Sequence, residues 1–212
     1  MPQRTTIIWD WNGTLLDDVG ICLEAINSLL KVRRMPELSA DKYRAVFTFP
    51  VIEYYKEIGF DFTTEKWEPV AMEFIAQYMN MLPDCKLTPF AVHTLDLFKK
   101  QGYRQAIISA MQHDALVKSV SDLGIHSYFE YIGGINDHYA VSKVDNAREY
   151  FSLAGLNPER ATLIGDTIHD SEVAAELHSR CILVSTGHQS TTRLRKTGLP
   201  VINDLSEIYS VL

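Results

Sequence analysis

The chain has 212 residues, of which 46% are hydrophobic, 10% aromatic and 22% charged, with a formal net charge of −7. A length of this order buries roughly 70% of the surface its unfolded chain exposes, so a core needs no disulfide or metal staple, and the apolar content excludes a disordered chain. The acidic balance argues against nucleic acid or anionic lipid as the main partner, because both need clustered Lys and Arg.

Taken in chain order, residues 5–10 are short, β-branched and apolar, and predict a buried strand. The strand runs into a loop, Trp11-Asn12-Gly13-Thr14. Residues 17–84 then show only helical periods: Cys22, Ile26, Leu29 and Leu30 make one stripe, and Trp67, Val70, Ala71, Phe74, Tyr78 and Met81 another. A connection of nearly 70 residues after a first strand is far longer than usual, so this stretch reads as an inserted helical subdomain. The expected division is a core of residues 1–16 and 85–212 with an insertion at 17–84.

From residue 88 onward strands and helices alternate. Thr88 reads as an N-cap with Pro89 behind it, and Val92, Leu95 and Phe98 form an apolar stripe that ends at Gly102. Strands are expected at 103–109, 131–133, 161–165, 181–185 and 201–202. Helices are expected at 113–123, 142–154, 168–178 and 191–197, with a final helix at the C-terminus. Gly124 and Gly155 close two of them. Such alternation predicts an α/β fold: a doubly wound parallel sheet with helices on both faces.

Cys22, Cys85 and Cys181 are odd in number and form no CxxC, so they read as buried free thiols. The first residues carry charges that interrupt any apolar leader, and no run of about 18 apolar residues occurs. The expectation is a soluble cytoplasmic protein, a monomer or small homo-oligomer, with no membrane or nucleic-acid partner.

In an open parallel sheet, ligands bind beyond the carboxyl ends of the strands. Asp10, Ser109 and Asp166 fall at strand ends, Asp170 lies one helical turn on, and Lys143 starts the helix after the third core strand. Three carboxylates gathered at one spot cannot all stay ionised without a cation, and an all-oxygen set suits Mg²⁺. A carboxylate nucleophile, a hard divalent metal and a turn of exposed amides together describe phosphoryl transfer through an aspartyl-phosphate.

Asp10-Trp-Asn12-Gly13-Thr14-Leu15, then Ser109, then Lys143, then Gly165-Asp166-Thr167-x-x-Asp170, resembles the four motifs of the haloacid dehalogenase superfamily. The helical insertion resembles that superfamily's C1 cap, and the chain as a whole looks most like its phosphoglycolate-phosphatase-like members. The resemblance implies a phosphatase of a small phosphorylated substrate, with Mg²⁺ as cofactor. It implies that Asp10 is the nucleophile and a metal ligand, and that the backbone carbonyl of Asn12 is a second ligand. Ser109 would hold the phosphoryl group and Lys143 would steady the nucleophile. Asp166 would ligate the metal, and Asp170 would ligate it or orient it through water.

Two residues depart from the pattern. Val144 stands where proline is frequent, which changes a helix start and no charge. Asn12 stands where active relatives usually carry the aspartate that protonates the leaving oxygen, and an amide transfers no proton. General acid–base catalysis is worth roughly 10²–10⁴-fold. Three readings follow: good leaving groups such as acyl phosphates, proton transfer by a cap group or a nearby His, or a binding protein of low turnover. Phosphonate cleavage is a further alternative, with Lys31, Lys42, Lys56 and Lys66 as cap lysines. The sequence alone predicts that Asn12→Asp raises turnover of alkyl phosphates. Of the histidines, His169 draws notice for lying inside the metal motif.

Overall fold

The computed structural model describes residues 6–135 and 143–212. The expected strand start at Thr5 and helix start at Ser142 lie outside these residues, as does the leader reading of residues 1–5.

The first strand, β1 (Thr6–Trp9), is buried along its whole length, as an apolar run in a sheet covered on both faces should be. Its parallel neighbours are β4 (Arg104–Gln112) and β6 (Ala161–Gly165). The sheet is completed by β5 (Tyr131–Ile135), β7 (Arg180–Val184) and β8 (Val201–Ile202), in the order β5-β4-β1-β6-β7-β8. All described pairings within it are parallel.

Period-two alternation sorts the strand side chains onto two cores. One face buries Ile7, Trp9, Ile107 and Ile164, and the other Ile8, Ala106, Ile108 and Leu163. Helices α5 (Ala91–Lys100) and α6 (His113–Asp122) supply Leu95, Phe98 and Leu116 to the first core. Helices α7 (Lys143–Ala154) and α8 (Ile168–Glu176) supply Val144, Phe151 and Val173 to the second, and α9 (Thr191–Arg195) adds Leu194.

Two strands of two residues each were not legible. β2 (Leu16–Asp17) pairs antiparallel with β3 (Lys86–Leu87), bringing the two ends of the helical stretch together. Between them lie α1 (Val19–Val32), α2 (Ala40–Val46), α3 (Val51–Glu57) and α4 (Trp67–Met81). The first core continues into them through Ile26, Leu30, Tyr54 and Val70.

Other elements differ from their sequence reading. Thr88 caps no helix: its hydroxyl donates to the Thr14 carbonyl at 2.7 Å, and its amide donates to Leu15. Phe90, at φ 65°, precedes α5 instead, so the buried stripe is Ala91, Thr94, Leu95 and Phe98, while Val92 stays exposed. The C-terminal helix is a 3₁₀ segment, Leu205–Ser210, whose tight turn Asp204 closes by accepting from the Ser206 amide and hydroxyl. All three cysteines are free and buried. Among the described residues, no helix is long and apolar enough to cross a membrane.

Candidate active site

The ladder carries Asp10 past the end of β1, where its amide donates to the Ile164 carbonyl at 2.8 Å. That bond sets Asp10 beside the C-terminal end of β6, where Asp166 follows. Asp170 is placed by the first turn of α8: the Thr167 amide and hydroxyl both donate to its Oδ2, at 3.0 and 2.7 Å. Oxygens of Asp10, Asp166 and Asp170 lie within 4.8 Å of one another, and all three residues are buried. Lys143 enters at the start of α7 with its Nζ 2.7 Å from Asp10 Oδ1 and in contact with Asp170 Oδ1.

The three carboxylates are not alike. Burial raises Asp10 to about 6, against the pull of Lys143 and with the push of Asp170. Burial raises Asp166 further, to about 8, although His188 opposes it. Burial would raise Asp170 too, but Lys143 and the Thr167 hydrogen bonds outweigh it and hold that carboxyl below the usual range. Lys143 is itself held protonated: its two carboxylates overcome the burial of its ammonium. One ammonium therefore serves two of the acids, and the third is left short of positive charge. A divalent cation with oxygen ligands fits this deficit. Asp170 is also engaged through both oxygens, by Lys143 and by Thr167, so it holds Lys143 and the loop at Thr167 in place as well. Asp166 accepts from Thr14 Oγ1 at 3.2 Å and from the His188 amide at 2.6 Å, which aims its carboxylate. Glycine is required on both sides of it: a Cβ on Gly13, at φ 70°, would stand 2.4 Å from Asp166 Oδ2, and one on Gly187 2.1 Å from the same atom.

Ser109 is buried within β4 and accepts from the Met111 amide at 3.1 Å. Its hydroxyl proton is thereby directed outward, toward Asn12 Oδ1 at 3.4 Å. Thus Asp10, Asn12, Ser109, Lys143, Asp166 and Asp170 converge on one end of the sheet.

The structure adds residues that sequence reading missed. Asp18, at the N-terminus of α1, is fully buried. Its Oδ1 accepts from the Gly13 amide at 2.8 Å and its Oδ2 from Asn12 Nδ2 at 2.8 Å and the Tyr78 hydroxyl at 2.9 Å. His188 lies 3.2 Å from Asp18 through Nε2 and 2.8 Å from the Tyr43 hydroxyl through Nδ1. Burial disfavours the charged imidazole, but Asp18 and Asp166 overcome it and raise His188 to about 9, so both ring nitrogens donate. Burial likewise opposes the charge on Asp18, yet His188, Asn12 and Tyr78 hold it below the usual range. Asp18, Cys22 and His188 also converge closely enough to hold an ion, but the oxygens of Asp18 are saturated by donors. The strand-end rule, applied to the loop after β7, was the signal that could have found His188. His169 pairs with Glu172 and stacks on Phe49 at 4.9 Å instead of joining the carboxylates.

The four lysines of the helical stretch, Lys31, Lys42, Lys56 and Lys66, are all exposed, and Lys56 pairs with Glu53. Among the described residues none bonds to the groups around Asp10 and Asn12.

The protein named probable phosphatase IndB in Dickeya dadantii is 26% identical over 208 residues, covering 95% of this chain and 90% of that one. Phosphoglycolate phosphatase 1 of Pseudomonas aeruginosa is 25% identical over 192 residues, covering 86% of this chain and 70% of the other. The solved structure of a hydrolase of Streptococcus pneumoniae, described as a haloacid dehalogenase-like family protein, superposes with a TM-score of 0.85 at 21% identity, covering 99% of both chains. The family model for haloacid dehalogenase-like hydrolases matches residues 7–184. The chain belongs to the haloacid dehalogenase-like hydrolase family.

Proposed function

We propose that this chain is a Mg²⁺-dependent phosphatase that hydrolyses a small phosphorylated metabolite through an aspartyl-phosphate on Asp10. The observation that carries the reading is the convergence of Asp10, Asp166 and Asp170 at the strand ends, with one lysine serving only two of them. Its relatives named as phosphatases support the reaction class.

Lys143 occupies Oδ1 of Asp10 and keeps the carboxylate ionised, leaving the second oxygen for phosphorus. Ser109, whose oxygen already accepts from Met111, donates its proton to a phosphoryl oxygen. Asp10, Asp166 and the backbone carbonyl of Asn12, with Asp170 directly or through water, would hold a divalent cation, which supplies charge neutralisation for the transferring group. The deficit of positive charge around Asp166 is what that ion fits. Positioning and electrostatics of this kind supply most of the catalysis in phosphoryl transfer.

Asn12 favours a second reading, a phosphate- and metal-binding protein of low turnover. Hydrolysis of acetyl phosphate and p-nitrophenyl phosphate, with and without Mg²⁺, separates the two. Mg²⁺-dependent release of phosphate is expected from the native chain. Asp10→Asn is expected to lower it by at least about 10³-fold, as removal of a nucleophile does. Unchanged turnover in that variant would remove Asp10 from its role.

A further inference from the structure

Asn12 is held from the helical side of the site. Its amide nitrogen donates both to Asp18 Oδ2 and to the Tyr78 hydroxyl, each at 2.8 Å, and Tyr78 in turn donates to the same Asp18 oxygen. Asp18 only accepts, so the NH₂ of Asn12 must face it and Oδ1 must face Ser109. Residue 12 therefore presents an acceptor to the phosphoryl site and no proton. The other proton carriers among the described residues of the site are committed as well. Lys143 serves Asp10 and Asp170, His188 serves Asp18 and Tyr43, and Tyr78 serves Asp18.

We infer that Asp18 is a positioning residue that locks Asn12 as a hydrogen-bond acceptor, so the site turns over phosphoryl compounds whose leaving group departs as a stable anion, an acyl or aryl phosphate. This rests on the phosphatase reading and narrows its substrate class. In the first step Asp10 forms the O–P bond, the bond from phosphorus to the leaving oxygen breaks, and the leaving group departs with the electron pair as carboxylate or phenolate. In the second, water accepting its orientation from Asn12 Oδ1 attacks phosphorus and the Asp10–phosphorus bond breaks. Both water protons stay with the product, which leaves as dihydrogen phosphate, and Asp10 returns as carboxylate.

The geometry also changes what Asn12→Asp does. A carboxyl at position 12 faces the buried Asp18 carboxylate at hydrogen-bonding distance, so any proton it carries is shared with Asp18 and not delivered to the substrate. The acid is restored only when Asp18 becomes the amide: Asn12→Asp with Asp18→Asn recreates the same pair with donor and acceptor exchanged.

The test is the dependence of kcat/KM on the leaving group, with acetyl phosphate, p-nitrophenyl phosphate, phenyl phosphate and glycerol phosphate, in Mg²⁺. A merely structural role for Asp18 would shift all four together. For the native chain, glycerol phosphate is expected at least about 100-fold below p-nitrophenyl phosphate, the usual size of a missing general acid. Asn12→Asp alone keeps that gap, and the exchange variant narrows it by about tenfold or more. A flat dependence in the native chain overturns the inference without any variant. So does a single Asn12→Asp that narrows the gap as far as the exchange, or a folded exchange variant that leaves it unchanged. No hydrolysis of any of the four by the native chain overturns the phosphatase reading itself, and the inference with it, which distinguishes the two failures.

Discussion

Lys143 is a buried ammonium between two buried carboxylates, and its place there makes it a structural residue as well as a chemical one. Removing one partner from a buried ion pair leaves an uncompensated charge, at a cost of about 3–5 kcal/mol. Lys143→Met is therefore expected to lower Tm by roughly 10 °C in the presence of a chelator, and Mg²⁺ should recover part of the loss. A melting curve that barely moves would show that the pair does not hold the site. At this scale the sequence was informative wherever a residue is marked by its position at a strand end. Asp10 and Asp166 were legible for that reason, and Lys143 and Asp170 by their place in the first turn of the helices beyond; Ser109 was read as the end of a strand that continues to Gln112. Asp18, Tyr78 and His188 were not, because their significance lies in one another. Asn12 meets Tyr78 across 66 positions, and Asp18 meets His188 across 170. No local pattern records such a meeting. Tyr78 did stand in a helical apolar stripe, where packing alone would explain it; its ring does pack, while its hydroxyl serves the site.

Among the elements, α2 and the residues just after it bond the helical stretch to the loop after β7. Arg44 donates from Nε to the Gly187 carbonyl at 3.0 Å and from Nη2 to the Thr186 carbonyl at 3.2 Å, and its own carbonyl accepts from the Ser190 amide at 3.0 Å. The Phe47 carbonyl accepts from Gln189 and from Arg193. The loop so clasped is the one that carries His188 and whose amide aims Asp166. Hydrogen bonds from a charged group are worth roughly 1.5–3 kcal/mol, so Arg44→Ala should destabilise by about that much. It should also weaken Mg²⁺ binding by slackening the loop behind Asp166, measurable by isothermal titration calorimetry. Full Mg²⁺ affinity in a destabilised Arg44→Ala would show that the clasp holds the fold but not the metal site. The helix and strand periods identified most elements of the sheet, because apolar spacing is a local property. β2 and β3, two residues each at the ends of the helical stretch, carry no period and break no alternation, unlike the equally short β8. Helix ends set by non-glycine residues in left-handed conformation were equally silent. Phe90, at φ 65°, starts α5 later than Thr88 suggested, and His178, at φ 55°, ends the turn after α8.

For the whole molecule, the sheet order places β1 at the point where the winding reverses, with β4 on one side and β6 on the other. The crevice beyond their carboxyl ends is where such a fold binds ligands, and three acids gather there. Their burial links the site to the stability of the whole chain. An acid whose pKa is raised by folding stabilises the fold only while protonated. Asp10, raised from 3.8 to about 6, and Asp166, raised from 3.8 to about 8, contribute stability that is complete below 3.8 and lost as pH rises through those higher values. His188, raised from 6.5 to about 9, changes in the same direction over its own window. Asp18 and Asp170, held low, contribute stability that is present throughout this range and lost only in stronger acid. The metal-free chain should therefore melt at lower temperature near about pH 8 than near about pH 5. A Mg²⁺ ion held by Asp10 and Asp166 would offset their ionisation, so its stabilisation should be larger at the higher pH. Equal Mg²⁺-induced shifts at both pH values would count against a cation at these carboxylates.

The sequence by itself determined the fold class, the alternation of strands and helices in the sheet, and several candidate residues at its strand ends. Apolar period and turn residues act over a few positions, so one chain is enough to read them. What only the tertiary structure decided is the company that Asn12 keeps. Whether an amide in that position is idle, replaced or deliberately held depends on hydrogen bonds good to a few tenths of an ångström between groups far apart in the chain. Folding brings Asp18 and Tyr78 to its nitrogen and Ser109 to its oxygen. That arrangement turns a missing acid into a fixed acceptor.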